Sequence, residues 1–253
     1  MVDKDEFVER GFVRVRGAFA PRLAAKCREL LWATIRAKPF DTETWEAPVV
    51  RVGYRDDPPF VESINTPALH AGFDALVGEG RWHPRPNVGT FPIRFPHPDD
   101  PGDDGWHLDA GFRPDGIEET DYLQWRINYR SDGRALLLLM LFSEVGEDDA
   151  PTRVRIGSHR AIVPRLEPFG EEGADVFQLM PLPEGEVALA TGDPGDVYLC
   201  HPFLVHAAQP HRGQVPRFLA QPPLHQRAPL QLDRPDGAYS AVEHSIRLGR
   251  AGP

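Results

Sequence analysis

Trp106-His107-Leu108-Asp109-Ala110-Gly111, answered much later by Gly195-Asp196-Val197-Tyr198-Leu199-Cys200-His201-Pro202-Phe203-Leu204-Val205-His206, decides how the chain is read. Two histidines and one carboxylate form the ligand set of a facial triad. Such a triad holds Fe(II) on one face and leaves the opposite positions open. In extended backbone, residues i and i+2 point to the same side. A strand over 106–112 therefore lets His107 and Asp109 reach one metal together. The third ligand must come from another strand, where His201 and His206 compete. They stand five positions apart, so on a regular strand they face opposite ways.

Outward from these segments the chain reads as short strands. Runs rich in β-branched, aromatic and aliphatic residues, bounded by Pro, Gly and Asp, predict strands at 49–53, 89–94, 106–112, 134–142, 152–156, 186–190, 196–200 and 215–221. The run Ala-Leu-Leu-Leu-Leu-Met-Leu-Phe at 135–142 reads as a central strand buried on both faces, although periodicity alone does not separate it from a buried helix. The first forty residues are helical in pattern, with Phe7, Val8, Phe12 and Val13 at the start. Across 22–38, Leu23, Cys27, Leu30, Leu31, Ala33 and Ile35 form an apolar stripe of helical period. The fold class predicted is mainly β: a double-stranded β-helix of jelly-roll or cupin-like type, with N-terminal helices packed on one sheet. The chain is read as one domain over 1–253, helical over about 1–45 and jelly-roll over about 48–225. The acidic stretch 164–184, with Gly170 and Gly173, reads as a surface excursion and candidate lid.

Composition narrows the function. A chain of 253 residues buries a core without disulfide support. Cys27 and Cys200, far apart in sequence, read as reduced thiols in a cytoplasmic protein. The charged opening MVDKDEFVERGF has no apolar core of a signal peptide, and the longest apolar run is too short to span a bilayer. A formal net charge of −10 argues against a nucleic-acid backbone as partner. A small-molecule substrate is left as the expected partner, with no nucleic acid and no membrane.

Several motifs together resemble the phytanoyl-CoA dioxygenase family. They are the His107–Asp109 pair, the turn Arg155-Ile156-Gly157-Ser158-His159, the Gly195–His206 segment, and Arg217 eleven residues after His206. Glu9-Arg10-Gly11-Phe12-Val13-Arg14-Val15-Arg16-Gly17 is similar to the family's opening strand and turn. The resemblance runs from about residue 7 to 223. It implies Fe(II), 2-oxoglutarate as cosubstrate and O2, with succinate and CO2 released as a substrate is hydroxylated. Of the two competing histidines, only His206 stands at the family's offset from Arg217. The implied metal ligands are His107, Asp109 and His206. Arg217 is the implied partner of the cosubstrate's far carboxylate, a role suited to a planar, permanently charged fork. Thr152 and Arg94 are candidates for further contacts in that cofactor-binding site. Retention of Asp109 favours hydroxylation over halogenation, while desaturation, epoxidation and epimerisation stay open.

The chain departs from the family at Ala207-Ala208, where Gly-Ser is common, and at His211, where Asn is common. His201 is expected beside the strand, His159 in a turn bonded to nearby backbone, and His211 in solvent or facing substrate. The arginine groups 126/130/134 and 153/155/160 leave an anionic substrate open. The alternatives are a cupin-like metal enzyme that does not use 2-oxoglutarate and a non-catalytic jelly-roll binding module.

Overall fold

The computed structural model describes residues 2–252. In chain order its main elements are α1 (Lys4–Arg10), β1 (Phe12–Val15), α2 (Pro21–Thr34), β2 (Val49–Val52), α3 (Pro58–Ile64), α4 (Pro67–Val77), β3 (Phe91–Arg94), β4 (Leu136–Leu141), β5 (Arg153–Arg155), α5 (Ser158–Ala161), α6 (Val163–Leu166), β6 (Val187–Leu189), β7 (Val197–Cys200), β8 (His206–Ala207), β9 (Leu219–Ala220), β10 (Pro223–Leu224) and α7 (Ala241–Arg250). No described helix is long and apolar enough to cross a membrane.

The apolar run at 135–142 is a strand, and every residue of β4 is buried. Alternate side chains leave a strand on opposite faces. Leu137, Leu139 and Leu141 pack with Val154, Tyr198, Cys200 and Leu219 between two sheets. Leu136, Leu138 and Met140 join the larger core shared with the helices. Both faces are apolar, so the sequence shows no alternation.

The larger sheet grows from both edges of β4. On one side β7 pairs antiparallel with Leu138 opposite Leu199, and β1 follows with Phe12 opposite Cys200. On the other side β9 and β10 both pair with β4. They divide where Pro222 and Pro223 supply no ladder donors. One reciprocal backbone contact then continues the sheet: Arg94 N–H donates to the Arg217 carbonyl at 3.1 Å, and Arg217 N–H to the Arg94 carbonyl at 2.8 Å. This brings in β3 and, beyond it, β2. The smaller sheet runs β6-β5-β8. It is extended by His107, whose N–H donates to the His206 carbonyl at 2.9 Å and whose carbonyl accepts from His206 N–H at 3.0 Å. The two sheets make the expected double-stranded β-helix.

Helices cover the outer face of the larger sheet. Phe7, Leu23, Leu31, Phe60, Phe73, Val242 and Ile246 share one core with Leu136, Leu138, Val197 and Leu199. Each such large apolar side chain contributes about 1.5–3 kcal/mol by leaving water. The Gly-Asp pair before β7 is structural. At φ +104° a Cβ on Gly195 would fall 2.1 Å from the Phe19 carbonyl oxygen. Asp196 accepts from Gly17 N–H at 2.7 Å and Asp193 N–H at 3.0 Å, tying this turn to the one after β1.

Several expectations are corrected. Residues 12–15, within the stretch of helical pattern, form a strand at the sheet edge against β7, in agreement with the opening strand that the family resemblance implied. No regular strand covers 106–112; only His107 and Phe112 make bridges, to His206 and Arg126. The expected 215–221 strand is reduced to β9 and the Arg217 bridge. The first helix of the apolar stripe ends at Thr34. Helices α3 and α4 lie within the stretch read as strand-rich, and α7 lies beyond the expected jelly-roll end. The stretch 164–184 is a packed excursion: it buries Leu166, Ala174, Leu179 and Leu182, and Ala174 pairs with Ile127.

Candidate metal centre and cosubstrate cavity

His107 and His206 are rungs of the same ladder, so their imidazoles are neighbours, with ring centroids 4.3 Å apart. Asp109 Oδ1 lies 3.9 Å from His107 Nε2 and 3.8 Å from His206 Nε2. One donor atom from each residue falls within 4.8 Å of the others, a spacing that accommodates a metal ion. His107 Nδ1 is 2.9 Å from the Gly105 carbonyl and His206 Nδ1 is 3.0 Å from the Leu204 carbonyl. A carbonyl only accepts, so Nδ1 carries the proton in each ring. Nε2 is left with its lone pair toward the shared centre. Burial pushes His206 down to about 4, with Asp109 opposing and His107 reinforcing, so the imidazole is neutral near pH 7.

Asp109 is fixed from behind. Its Oδ2 accepts from Arg134 Nη1 at 2.5 Å, and Arg134 Nη2 donates to the Ala110 carbonyl at 3.1 Å. Burial alone would raise the carboxyl, but Arg134, then His206 and His107, hold it well below the usual carboxylate range. The contact needs a tight crossing of 111 over 133, where Gly133 at φ +81° has no room for a Cβ beside the Gly111 carbonyl. Partners behind a metal ligand are worth about 10–100-fold in metal affinity. Arg134→Leu should weaken Fe(II) or Mn(II) binding by about that factor. Titration against a chelator checks this, and unaltered affinity would remove Arg134 from the site.

A cavity of about 270 Å³ opens from the two imidazoles and is lined by His107, His206, Thr152, Arg94, Arg217, Arg51, Asp103 and Gln221, among others. The sequence-derived candidates thus meet at one place. Arg217 is 2% exposed and donates to the carbonyls of Ala150 and Pro92. Arg94, also 2% exposed, donates to Asp103 Oδ1 at 2.6 Å. The Nε atoms of both arginines are buried without a partner. Burial pushes Arg217 down to about 9, with Arg94 adding to the shift and Asp103 opposing it. Two buried guanidinium groups with one carboxylate between them fit a dianionic keto acid. Thr152 is buried just before β5 and faces the same cavity.

The other histidines settle elsewhere. His201 is fully buried, its Nδ1 accepts from Phe203 N–H at 3.1 Å, and its ring packs on His159 at 5.0 Å. His159 reaches the Val8 carbonyl of α1 at 3.1 Å, so its backbone partner is remote in sequence and not local as expected. His211 is buried and closes its own turn, between Gly213 N–H and the Val215 carbonyl, so it is neither solvated nor facing substrate.

Burial pushes His159 down to about 3, with the Val8 contact opposing and Arg160 reinforcing. Unfolded, the same imidazole titrates near 6.5. Its contribution to stability is complete above that value and is lost as pH falls from about 6.5 through about 3. His159→Gln should flatten this acid limb in denaturation measured across pH. An unchanged slope would show that His159 does not govern it.

Five of the six arginines offered to an anionic substrate, all but Arg160, are engaged otherwise. Arg134 holds Asp109, Arg130 meets Glu171 at 3.5 Å, and Arg126 donates to the Glu172 carbonyl at 3.2 Å. Arg153 joins the two ligand segments, donating to the Asp104 carbonyl at 2.6 Å and the Ala208 carbonyl at 2.7 Å. Arg153 and Arg155 both stack on Trp106. Proximity in sequence suggested the grouping, but the fold distributes the side chains.

Two sheets closing over a His-Asp-His centre with a cationic far end place the chain among the non-haem iron, 2-oxoglutarate-dependent oxygenases. Residues 7–219 match the sequence profile of phytanoyl-CoA dioxygenase (PhyH), and the chain belongs to that family. No curated protein matches the chain in sequence. Among solved structures it is similar to the epimerase SnoN in complex with Fe3+, alpha ketoglutarate and nogalamycin RO, with a TM-score of 0.58, 16% identity, and coverage of 92% of this chain and 85% of that one. HygX from Streptomyces hygroscopicus with nickel and 2-oxoglutarate bound gives 0.57, 17%, 90% and 88%. EvdO2 from Micromonospora carbonacea var. aurantiaca gives 0.56, 15%, 93% and 94%. At such identities the likeness is one of fold.

Proposed function

We propose that the chain hydroxylates a small-molecule metabolite, with His107, Asp109 and His206 as the iron ligands and Arg217 as the partner of the cosubstrate's far carboxylate. The reaction takes 2-oxoglutarate, O2 and a C–H bond to succinate, CO2 and a C–OH group. One observation carries this reading: three donor atoms lie within 4.8 Å of one another, and the two imidazoles among them line a cavity that also contains a buried, under-partnered Arg217. Bound iron with 2-oxoglutarate and O2 supplies the oxidant, which is chemistry no side chain here provides.

The residues bind and orient. The two Nδ1–carbonyl contacts set the imidazole tautomers, and Arg134 sets the rotation of Asp109. Arg217 fixes the keto acid at its far end, with Arg94 and Thr152 beside it. Their chemistry is electrostatic positioning in a site sheltered from water. The His107 side chain is 43% exposed, against 3% for His206, so the substrate approaches from the His107 side.

The same reading takes the chain as one domain, because the helices and the jelly roll share a core. It places the protein in the cytoplasm, supported by Cys27 and Cys200 being free, buried thiols. Small-molecule substrates are in keeping with HygX, solved with hygromycin B, and with SnoN, solved with nogalamycin RO. Succinate release from Fe(II), 2-oxoglutarate and a panel of metabolites tests the assignment, and product mass tests hydroxylation. Absence of 2-oxoglutarate binding in metal-loaded protein would overturn it. A converted substrate that gains no oxygen would replace hydroxylation by epimerisation or desaturation.

A further inference from the structure

We propose that Arg51 binds an anionic group of the substrate, a carboxylate or a phosphate, so that this oxygenase acts on small hydrophilic acids. The inference rests on the iron and 2-oxoglutarate reading above and adds the substrate class.

The placement of Arg51 follows from the pairing of β2 with β3. Arg51 stands opposite Pro92, while Val50 and Val52 stand opposite Ile93 and Phe91. Alternate side chains leave a strand on opposite faces. Val52, Phe91 and Ile93 accordingly join the core shared with the helices, and Val50 packs against it. Arg51, Thr90, Pro92 and Arg94 take the other face and line the cavity that also contains the His107 and His206 imidazoles. The Arg51 side chain therefore shares one space with the metal centre.

That space grades from a closed end to an open one. The side chain of Arg94 is 2% exposed and Arg217 is 2% exposed, whereas the side chain of Arg51 is 61% exposed. Thr90 is exposed as well, and Gln221 is half-buried. The closed end holds the keto acid, and Arg51, Thr90 and Gln221 form the rim that a substrate meets. Among the described residues Pro92 and Ala208 are the only apolar members of the cavity wall. Small-molecule pockets are lined mostly by apolar side chains with a few polar groups. A wall of the opposite kind selects a hydrophilic ligand. The Thr90 hydroxyl and the Gln221 amide make no side-chain hydrogen bond among the described residues, so both are free for polar groups of that ligand.

Charge makes the ligand an acid. Apart from the metal ligands, three guanidinium groups and one carboxylate, Asp103, line the wall. Asp103 Oδ1 accepts from Arg94 Nη2 at 2.6 Å, and Oδ2 accepts from Arg51 Nη2 at 2.5 Å. Burial would raise this carboxyl, but Arg94 and then Arg51 hold it below the usual carboxylate range, so it stays charged. It balances one guanidinium, and the far carboxylate of the keto acid balances a second. The surplus positive charge lies at the open end, because the desolvated Arg94 and Arg217 have the greater need of a counter-ion. Arg51 meets Asp103 through Nη2 alone, and its Nε and Nη1 keep their donors for a further anion. The chain as a whole carries −10, so a cationic rim is a local device.

The test uses the full chain loaded with Mn(II) and saturating 2-oxoglutarate, which keeps the probes away from Arg217. Inorganic phosphate and acetate serve as probes, read by paramagnetic relaxation of their 31P and 13C nuclei. Wild type should show a saturable enhancement with one or both anions, and whichever binds names the handle. Arg51→Gln should weaken that binding by about tenfold or more, the loss of one charge-assisted pair. Arg51→Lys keeps the charge without the planar fork and should fall between the two. Affinity for 2-oxoglutarate should be the same in all three proteins, which certifies the fold. No saturable enhancement in wild type, or an equal one in Arg51→Gln, overturns the proposal. So does a lysine variant no better than the glutamine one, or a loss of 2-oxoglutarate affinity that matches the loss of the probe. Failure of 2-oxoglutarate to bind the wild-type protein would instead strike the parent reading.

Discussion

Asp109→Ala should abolish 2-oxoglutarate turnover. The loss exceeds that of one ligand atom, because Asp109 has two partners. Oδ1 faces His107 and His206, while Oδ2 accepts the Arg134 guanidinium. Without the carboxylate, Arg134 is stranded, and its side chain is only 14% exposed. Stranding a buried charge costs about 3–5 kcal/mol. The same positive charge now repels the metal that the two imidazoles would still bind. Metal content and succinate release should therefore fall together. Iron-dependent succinate formation in the variant would count against the assignment. His107→Ala should also eliminate turnover while leaving the Asp109–Arg134 pair intact, so its effect on folding stability should be the smaller.

The second large effect is at Arg217. Arg217→Ala should raise the 2-oxoglutarate concentration needed for turnover by about a hundredfold or more, as expected for losing a charge-assisted pair in a buried site. Metal content should not change, since Arg217 donates only to the carbonyls of Ala150 and Pro92. Arg217→Lys keeps the charge but not the planar fork, so it should fall between the two. Measuring metal content and 2-oxoglutarate dependence on the same samples separates this role from general damage. An unchanged dependence on the keto acid would remove Arg217 from the cosubstrate site.

The sequence made the centre readable because its parts are chemical and closely spaced. His107, Asp109, His206 and Arg217 stand in two short segments whose residue types have few other uses in that order. β4 was readable because eight apolar residues in a row have only a buried strand or helix open to them. The strand expected over 106–112 did not form: isolated bridges at His107 and Phe112 suffice to bring His107 and Asp109 beside His206. Pro58-Pro59 and Pro67 stand in the stretch read as strand-rich, and they open helices, where a missing N–H costs nothing. The capping box Ser240–Glu243 marked the start of α7, a local signal that was there to find. Arg134 had no such signal. Its position behind Asp109 comes from a contact distant in sequence, and an arginine among many arginines carries no mark of what it touches.

His107 and His206 exchange backbone hydrogen bonds with each other, so the two imidazole donors are set by the sheet itself. A nest formed this way does not wait for its ion before taking shape. The protein should tolerate being stripped by a chelator and reloaded, returning to work without refolding. That behaviour suits a catalyst whose iron can be lost to oxidation and must be replaced in place.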